Sequence, residues 1–205
     1  MTYVKWVFVA LILVMLGGFL HYVLPQHDIV RVVNTEVRRV SPGQNAVFWS
    51  SADADDVAGT RDVFFIETIR PNGNPAVYRN EDTGWIWPPY FKFDSANVQA
   101  LAKDMESNEA DPRWVAIRHY GWRIEFFSIF PNATSVRPVA DPEERIVNWA
   151  NIIFLVFLAG FVFWLWRLWR GFREARVDPL LDNFDEAVDE TRARGRGLWR
   201  RFTGR

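Results

Sequence analysis

The chain of 205 residues holds three histidines, 25 carboxylates and no cysteine. Without thiols there is no cysteine nucleophile, cysteine-ligated zinc or cluster, c-type haem attachment or disulfide. Hydrolysis by a serine triad needs a nucleophile, a base and an orienting carboxylate, and no G-x-S-x-G elbow is visible. His21 and His27 are six apart with Pro25 between them, so they share no helical face, and His119 lies far off in a strand-like run. A haem or metal site is therefore not expected, and neither is a cofactor. Asp53, Asp55 and Asp56 present closely spaced carboxylates, the ligand type of a hard cation. They lack the glycine and terminal Glu of an EF-hand-type loop, so a solvated acidic loop is the reading. Glu81 and Asp82 are adjacent and in a strand would face opposite ways. No G-x-G-x-x-G or P-loop occurs, and nucleotide binding has no support. If the chain were an enzyme, the alternative is a hydrolase of an envelope polymer working through carboxylates such as Asp62, Glu67 or Asp94.

A different chemistry is offered by Trp85 to Phe93, WIWPPYFKF. Pro88 and Pro89 exclude regular helix and interior strand and leave an extended, stiff segment. Rigid aromatics supply contact area at low entropy cost, so Trp85, Trp87, Tyr90 and Lys92 form a candidate binding surface. Core and membrane-interface packing is the default against which that surface must be weighed.

Two apolar runs frame these residues. Trp6 to Leu24 is nineteen residues without a formal charge, roughly 28 Å of helix at 1.5 Å per residue. Lys5 ahead of it suits a signal peptide, but the exit through His21, Tyr22 and Pro25 offers no small-x-small cleavage site, and an uncleaved anchor is expected. The second span runs over residues 146–169, with Ile152 to Trp166 free of charge. Trp6, Trp149, Trp164, Trp166 and Trp169 suit the membrane boundaries, and Arg167, Arg170 and Arg173 with Arg176 follow the second span. Such basic flanks stay in the cytoplasm, which places both termini there and residues 25–145 outside. The charge is segregated accordingly. Residues 25–148 carry 13 Lys and Arg against 18 Asp and Glu, and residues 167–205 carry 10 Arg against 7 acids.

The outer segment reads as strands. Asp28–Val40 and Arg61–Arg70 are rich in β-branched and aromatic residues, and Ala76–Asn80 follows the Pro71–Pro75 turn cluster, which suits a hairpin. Trp114–Phe127 alternates, with Gly121 as a bulge or sharp bend. Val98, Leu101, Ala102 and Met105 recur at helical spacing, with Asp94 or Ser95 placed to cap the start. Residues 41–60 read as a mobile loop. The expected fold is a membrane α+β protein: two transmembrane helices flanking a small antiparallel, barrel-like β domain with one helix.

The run Tyr78 to Ala100, with Tyr120-Gly121-Trp122-Arg123-Ile124 and Ser128-Ile129-Phe130-Pro131-Asn132, resembles a family of uncharacterised bacterial two-span membrane proteins known only as a domain of unknown function. That resemblance implies a bacterial membrane-anchored protein and transfers no activity, cofactor or catalytic residue. With the spans and flanking charge, the expected location is the bacterial inner membrane, with residues 25–145 periplasmic.

The cytoplasmic tail, residues 170–205, pairs an acidic amphipathic stretch around Leu181, Phe184 and Val188 with the basic end RARGRGLWRRFTGR. Such an end is attracted to anionic lipid headgroups; Arg- and Gly-rich RNA binding and plain stop-transfer charge are the other readings. Nucleic acid is not expected as a partner; the bilayer and a membrane-protein partner are. The expected role is non-enzymatic: a binding or assembly module accessory to an envelope complex.

Overall fold

The computed structural model describes residues 2–40, 61–84 and 90–177. The 41–60 loop with its three aspartates, Trp85, Trp87 and the tail beyond 177 lie outside the described residues. In chain order the elements are α1 (Thr2–Val23), β1 (Gln26–Val40), β2 (Arg61–Ile69), β3 (Pro75–Asn80), α2 (Ser95–Asp104), β4 (Trp114–Tyr120), β5 (Asn132–Pro138) and α3 (Trp149–Phe172). The chain divides into two compact units, residues 1–148 and 149–205.

In the first unit, five strands pair in the order β1-β2-β3-β5-β4, and β4 returns to β1. Four of the pairings are antiparallel. β3 meets β5 in parallel through the single register Arg79↔Asn132. The sheet is therefore mixed, which corrects the antiparallel expectation. β5 is also an addition, because NATSVRP offers little apolar periodicity to read. β4 is shorter than the alternating stretch suggests: Gly121, at φ +90°, ends it, and the chain then makes a tight excursion to β5 rather than more strand.

Val30, Val32, Ile66, Val115, Ile117 and Ala133 are fully buried between the strands. Removing each larger aliphatic side chain from water stabilises the fold by about 1.5–3 kcal/mol. α2 covers this core with Val98 and Ala102 buried and Met105 packed beside them, while Leu101 is half exposed and drops out of the expected stripe. Its first turn is not capped by its own residues: Asp94 makes no side-chain cap bond, and the Ser95 N–H donates to Asp82 Oδ1 at 2.8 Å. Asn80 Nδ2 donates to Ser95 O at 2.8 Å, and Gln99 Nε2 to Phe65 O at 3.2 Å, so polar bonds as well as packing fix the helix on the sheet.

Among the described residues, two helices are long and apolar enough to cross a membrane. α1 leaves Trp6, Phe8, Leu11, Leu13 and Met15 exposed, and α3 buries none of its residues. α3 continues into a π-helical turn, Arg173–Val177, where Arg170 and Glu174 pair at 2.8 Å.

Candidate functional site

An α-helix leaves its last four carbonyls without intrahelical partners. At the end of α1, partners for these carbonyls come from the residues just beyond the helix and from the sheet domain. Leu24 N–H donates to Leu20 O at 2.8 Å, Gln26 Nε2 to His21 O at 3.0 Å and Gly121 N–H to Tyr22 O at 2.9 Å. The Tyr90 hydroxyl donates to Val23 O. Asn148 Nδ2 reaches Pro25 O at 3.0 Å. Segments more than 60 residues apart in sequence thus converge on one helix end, so the helix has a fixed direction relative to the sheet.

Aromatic rings seal this junction. Tyr90 stacks on Tyr120 with centroids 4.3 Å apart and planes 10° apart. Tyr22 meets Trp122 edge-on at 5.4 Å and Tyr120 at 6.4 Å. Trp122 Nε1 donates to His21 Nδ1 at 2.9 Å, and a Cβ added at Gly18 would meet its ring at 3.9 Å. Gly121 suits the position through its conformation: at φ +90° its N–H donates to Tyr22 O, a backbone that costs any other residue strain.

Beneath the rings lies a buried polar network. Lys92, 5% exposed, donates from Nζ to Asn80 Oδ1 and, at 2.7 Å, to Ala133 O. Burial pulls its amine down to about 8, against the opposing pull of Asp82, Asp94 and Glu81. Fully buried Asn132 accepts from Glu81 N–H at 2.9 Å and donates to Glu81 O at 3.1 Å and to Tyr120 Oη at 3.0 Å. Arg79 and Glu81 form an ion pair at 3.2 Å. Burial drives Tyr120 up to about 12 and raises Tyr90 further, so both stay neutral hydroxyls. These groups bond to one another, so the network works as a clamp.

A second polar group sits inside the sheet. Asp28 Oδ2 accepts from the Tyr78 hydroxyl at 2.5 Å and Arg70 Nη2 at 3.1 Å, and lies 3.4 Å from His119 Nε2. Burial raises the Asp28 carboxyl, but donation from His119, Tyr78 and Arg70 outweighs it and holds the group well below the ordinary carboxylate range. An aspartate held ionised this firmly is a weak base. A cavity of about 140 Å³ beside it is lined by Arg70, Tyr78, Arg123, Glu125 and Pro131.

Of the residues singled out from sequence, Tyr90 and Lys92 belong to the junction, and Lys92 points inward instead of onto a surface. Trp6, Trp149, Trp164, Trp166, Arg167, Trp169, Arg170 and Arg173 are exposed along the two apolar helices. Asp62 pairs with Arg39 at 2.9 Å and Glu67 with Arg38 at 2.5 Å. Five residues apart on one strand, these two carboxylates are separated by roughly 16 Å of rise and form no pair. Asp94 is exposed beside α2. Among the described residues no group of three or more His, Cys, Asp or Glu could hold a metal ion. The roles of Tyr120, Asn132 and Trp122 have no local signal, since their partners lie 12 to 101 residues away.

No solved structure matches this chain. It is similar to an uncharacterised protein of Haemophilus influenzae, 39% identical over 156 residues that cover 73% of this chain and 86% of the relative. A family model described as "Protein of unknown function (DUF1523)" matches residues 1–173. That match takes in α1, the whole sheet domain and α3, and the chain belongs to that family of unknown function.

Proposed function

We propose that this protein is a two-span inner-membrane protein whose first helix holds a small binding or assembly domain directly on the outer face of the bilayer, with both termini cytoplasmic. The observation that carries the reading is the α1 junction. A signal peptide is removed, yet here the helix end is held by hydrogen bonds from its surroundings and packs Tyr22 against Tyr120 and Trp122. Cleavage would strip the Gly121 N–H and the Tyr90 hydroxyl of their acceptors, so α1 reads as a retained anchor. The orientation rests on the arginines after α3.

We read the closed strand order, with α2 between β3 and β4 and β5 parallel to β3, as an OB-type barrel, an architecture that presents its β2–β3 face and neighbouring loops to ligands. The analogy is one of fold alone. In this chain the β4–β5 connection lies on the outer side of those strands: Phe130 meets Phe65 edge-on at 5.3 Å, with Arg38 over Phe65 and Arg123 over Phe130. The separation of Asp62, Glu67 and Asp94, and the firmly ionised Asp28, favour a non-enzymatic module over a carboxylate hydrolase. Anionic headgroups are the partner proposed for the basic tail, and a membrane protein for the outer domain.

Reporter fusions test the topology. Alkaline phosphatase is expected to be active when fused after residue 100 and inactive after residue 190; the reverse would overturn the reading. Crosslinking in native membranes followed by co-purification tests the assembly role, and repeated recovery of the protein alone would count against it.

A further inference from the structure

The connection from Gly121 to Pro131 is a compact hairpin. Ile124 and Ile129 exchange backbone hydrogen bonds at 3.2 and 3.0 Å, Ser128 N–H donates to Glu125 O at 3.0 Å, and Ser128 takes a left-handed φ of 52° to close the turn. Arg123 donates to Ile129 O at 3.0 Å and covers Phe130. The turn so built leaves Phe126 89% and Phe127 51% exposed, their rings edge to face at 4.9 Å. A pair of phenylalanines held out on a braced turn is costly in water, because apolar area is left hydrated.

The position of the hairpin says what covers it. Its first residue after the bend, Trp122, lies against His21 and Tyr22 of α1, and a Cβ added at Gly18 would meet its ring at 3.9 Å. Gly18 is five residues before the end of that helix, about 7.5 Å down its axis. Trp122 therefore stands at the depth where Trp belts meet headgroups when α1 spans a bilayer. β3 runs in the same sense as β1, since each is antiparallel to β2, so its Pro75 end faces the side from which α1 enters. Glu125 lines a cavity with Pro75 and Val77, which places the turn on that same side. Phe91 and Phe93, next to the Tyr90 that caps α1, are also more than half exposed.

We infer that the Trp122–Phe130 hairpin is a membrane-surface anchor, with Phe126 and Phe127 seated in the outer-leaflet interface beside α1. The partner is the lipid bilayer itself. The insertion is shallow: Glu125 and Arg123 flank the phenylalanines and keep the turn at headgroup depth. Together with α1 it holds the domain at two points, which fixes its tilt on the membrane. The inference rests on α1 spanning the membrane.

The chain has no cysteine, so single-cysteine variants of the full protein carry one fluorophore each. Phe126→Cys, Leu13→Cys in the middle of α1 and Asn97→Cys on the exposed side of α2 are labelled with an environment-sensitive dye. Each is reconstituted in phosphatidylcholine and phosphatidylglycerol vesicles, with and without lipids brominated high on the acyl chain. The expected result is blue-shifted emission and loss of intensity with bromine at residues 126 and 13, and neither at residue 97. A quenched residue 13 with residue 126 behaving like residue 97 overturns the anchor and leaves the span intact. An unquenched residue 13 removes the span, and the anchor with it.

Discussion

α1 and α3 are alike in composition and differ in how they end. Both exceed 20 residues, both are apolar, and no described residue of either is fully buried. α1 runs into a sheet that satisfies its terminal carbonyls, whereas α3 forms part of a separate unit and ends in arginines and a π-helical turn. Hydropathy is blind to this difference. The first helix is part of the folded domain, while the second belongs to another unit and is marked by its apolar length and the arginines that follow it.

Breaking the junction is expected to unfold the domain, and changing α3 is not. The largest loss comes from Asn132→Ala, which leaves Glu81 N–H, Glu81 O and Tyr120 Oη without their buried partner at a cost of about 3 kcal/mol. It is read by thermal unfolding of the full chain in detergent, monitored by tryptophan fluorescence.

Next comes a pH effect from Lys92. Its amine is lowered to about 8 from 10.5, so between those values the unfolded chain binds more protons and stability rises with pH. The buried tyrosines act the other way. Tyr78, Tyr90 and Tyr120 are raised above 10.0, so their contribution is complete below pH 10 and is lost as pH climbs beyond it. Stability is expected to rise from about pH 8 to near 10 and then fall. Lys92→Met abolishes the rise and keeps the fall; an unchanged rise would contradict the buried placement of the amine.

Gly121→Ala is milder. The added Cβ finds ordinary contacts, at 3.6 Å from Tyr22 and 3.7 Å from Pro131, so the cost is that of forcing φ +90° on alanine, about 1–2 kcal/mol. Trp149→Ala, at the start of α3, is expected to shift the same unfolding transition by less than about 0.5 kcal/mol. A shift there as large as at Gly121 would erase the contrast between the helices.

Part of this contrast is legible in the sequence, and the rest is hidden for physical reasons. Apolar runs mark both helices, β-branched runs mark β1 and β2, and the Pro71–Pro75 turn cluster marks the start of β3, because those signals are local. β5 is silent, since Asn132 and Thr134 are buried through bonds to distant partners rather than through apolar character. Lys92 sits in an aromatic string that suggests a contact surface, but its acceptors, Asn80 and Ala133, lie on two strands that only the fold brings together. Gly121 is legible as a bend and not as the donor to Tyr22 O on a helix at the other end of the domain.

The central claim is that α1 and the sheet move as one body. Double electron–electron resonance between spin labels at Leu13→Cys and Asn97→Cys, with the full chain in lipid nanodiscs, tests it directly. A single narrow distance distribution is expected, broadened by Gly121→Ala; a broad distribution in the otherwise native chain would contradict the account.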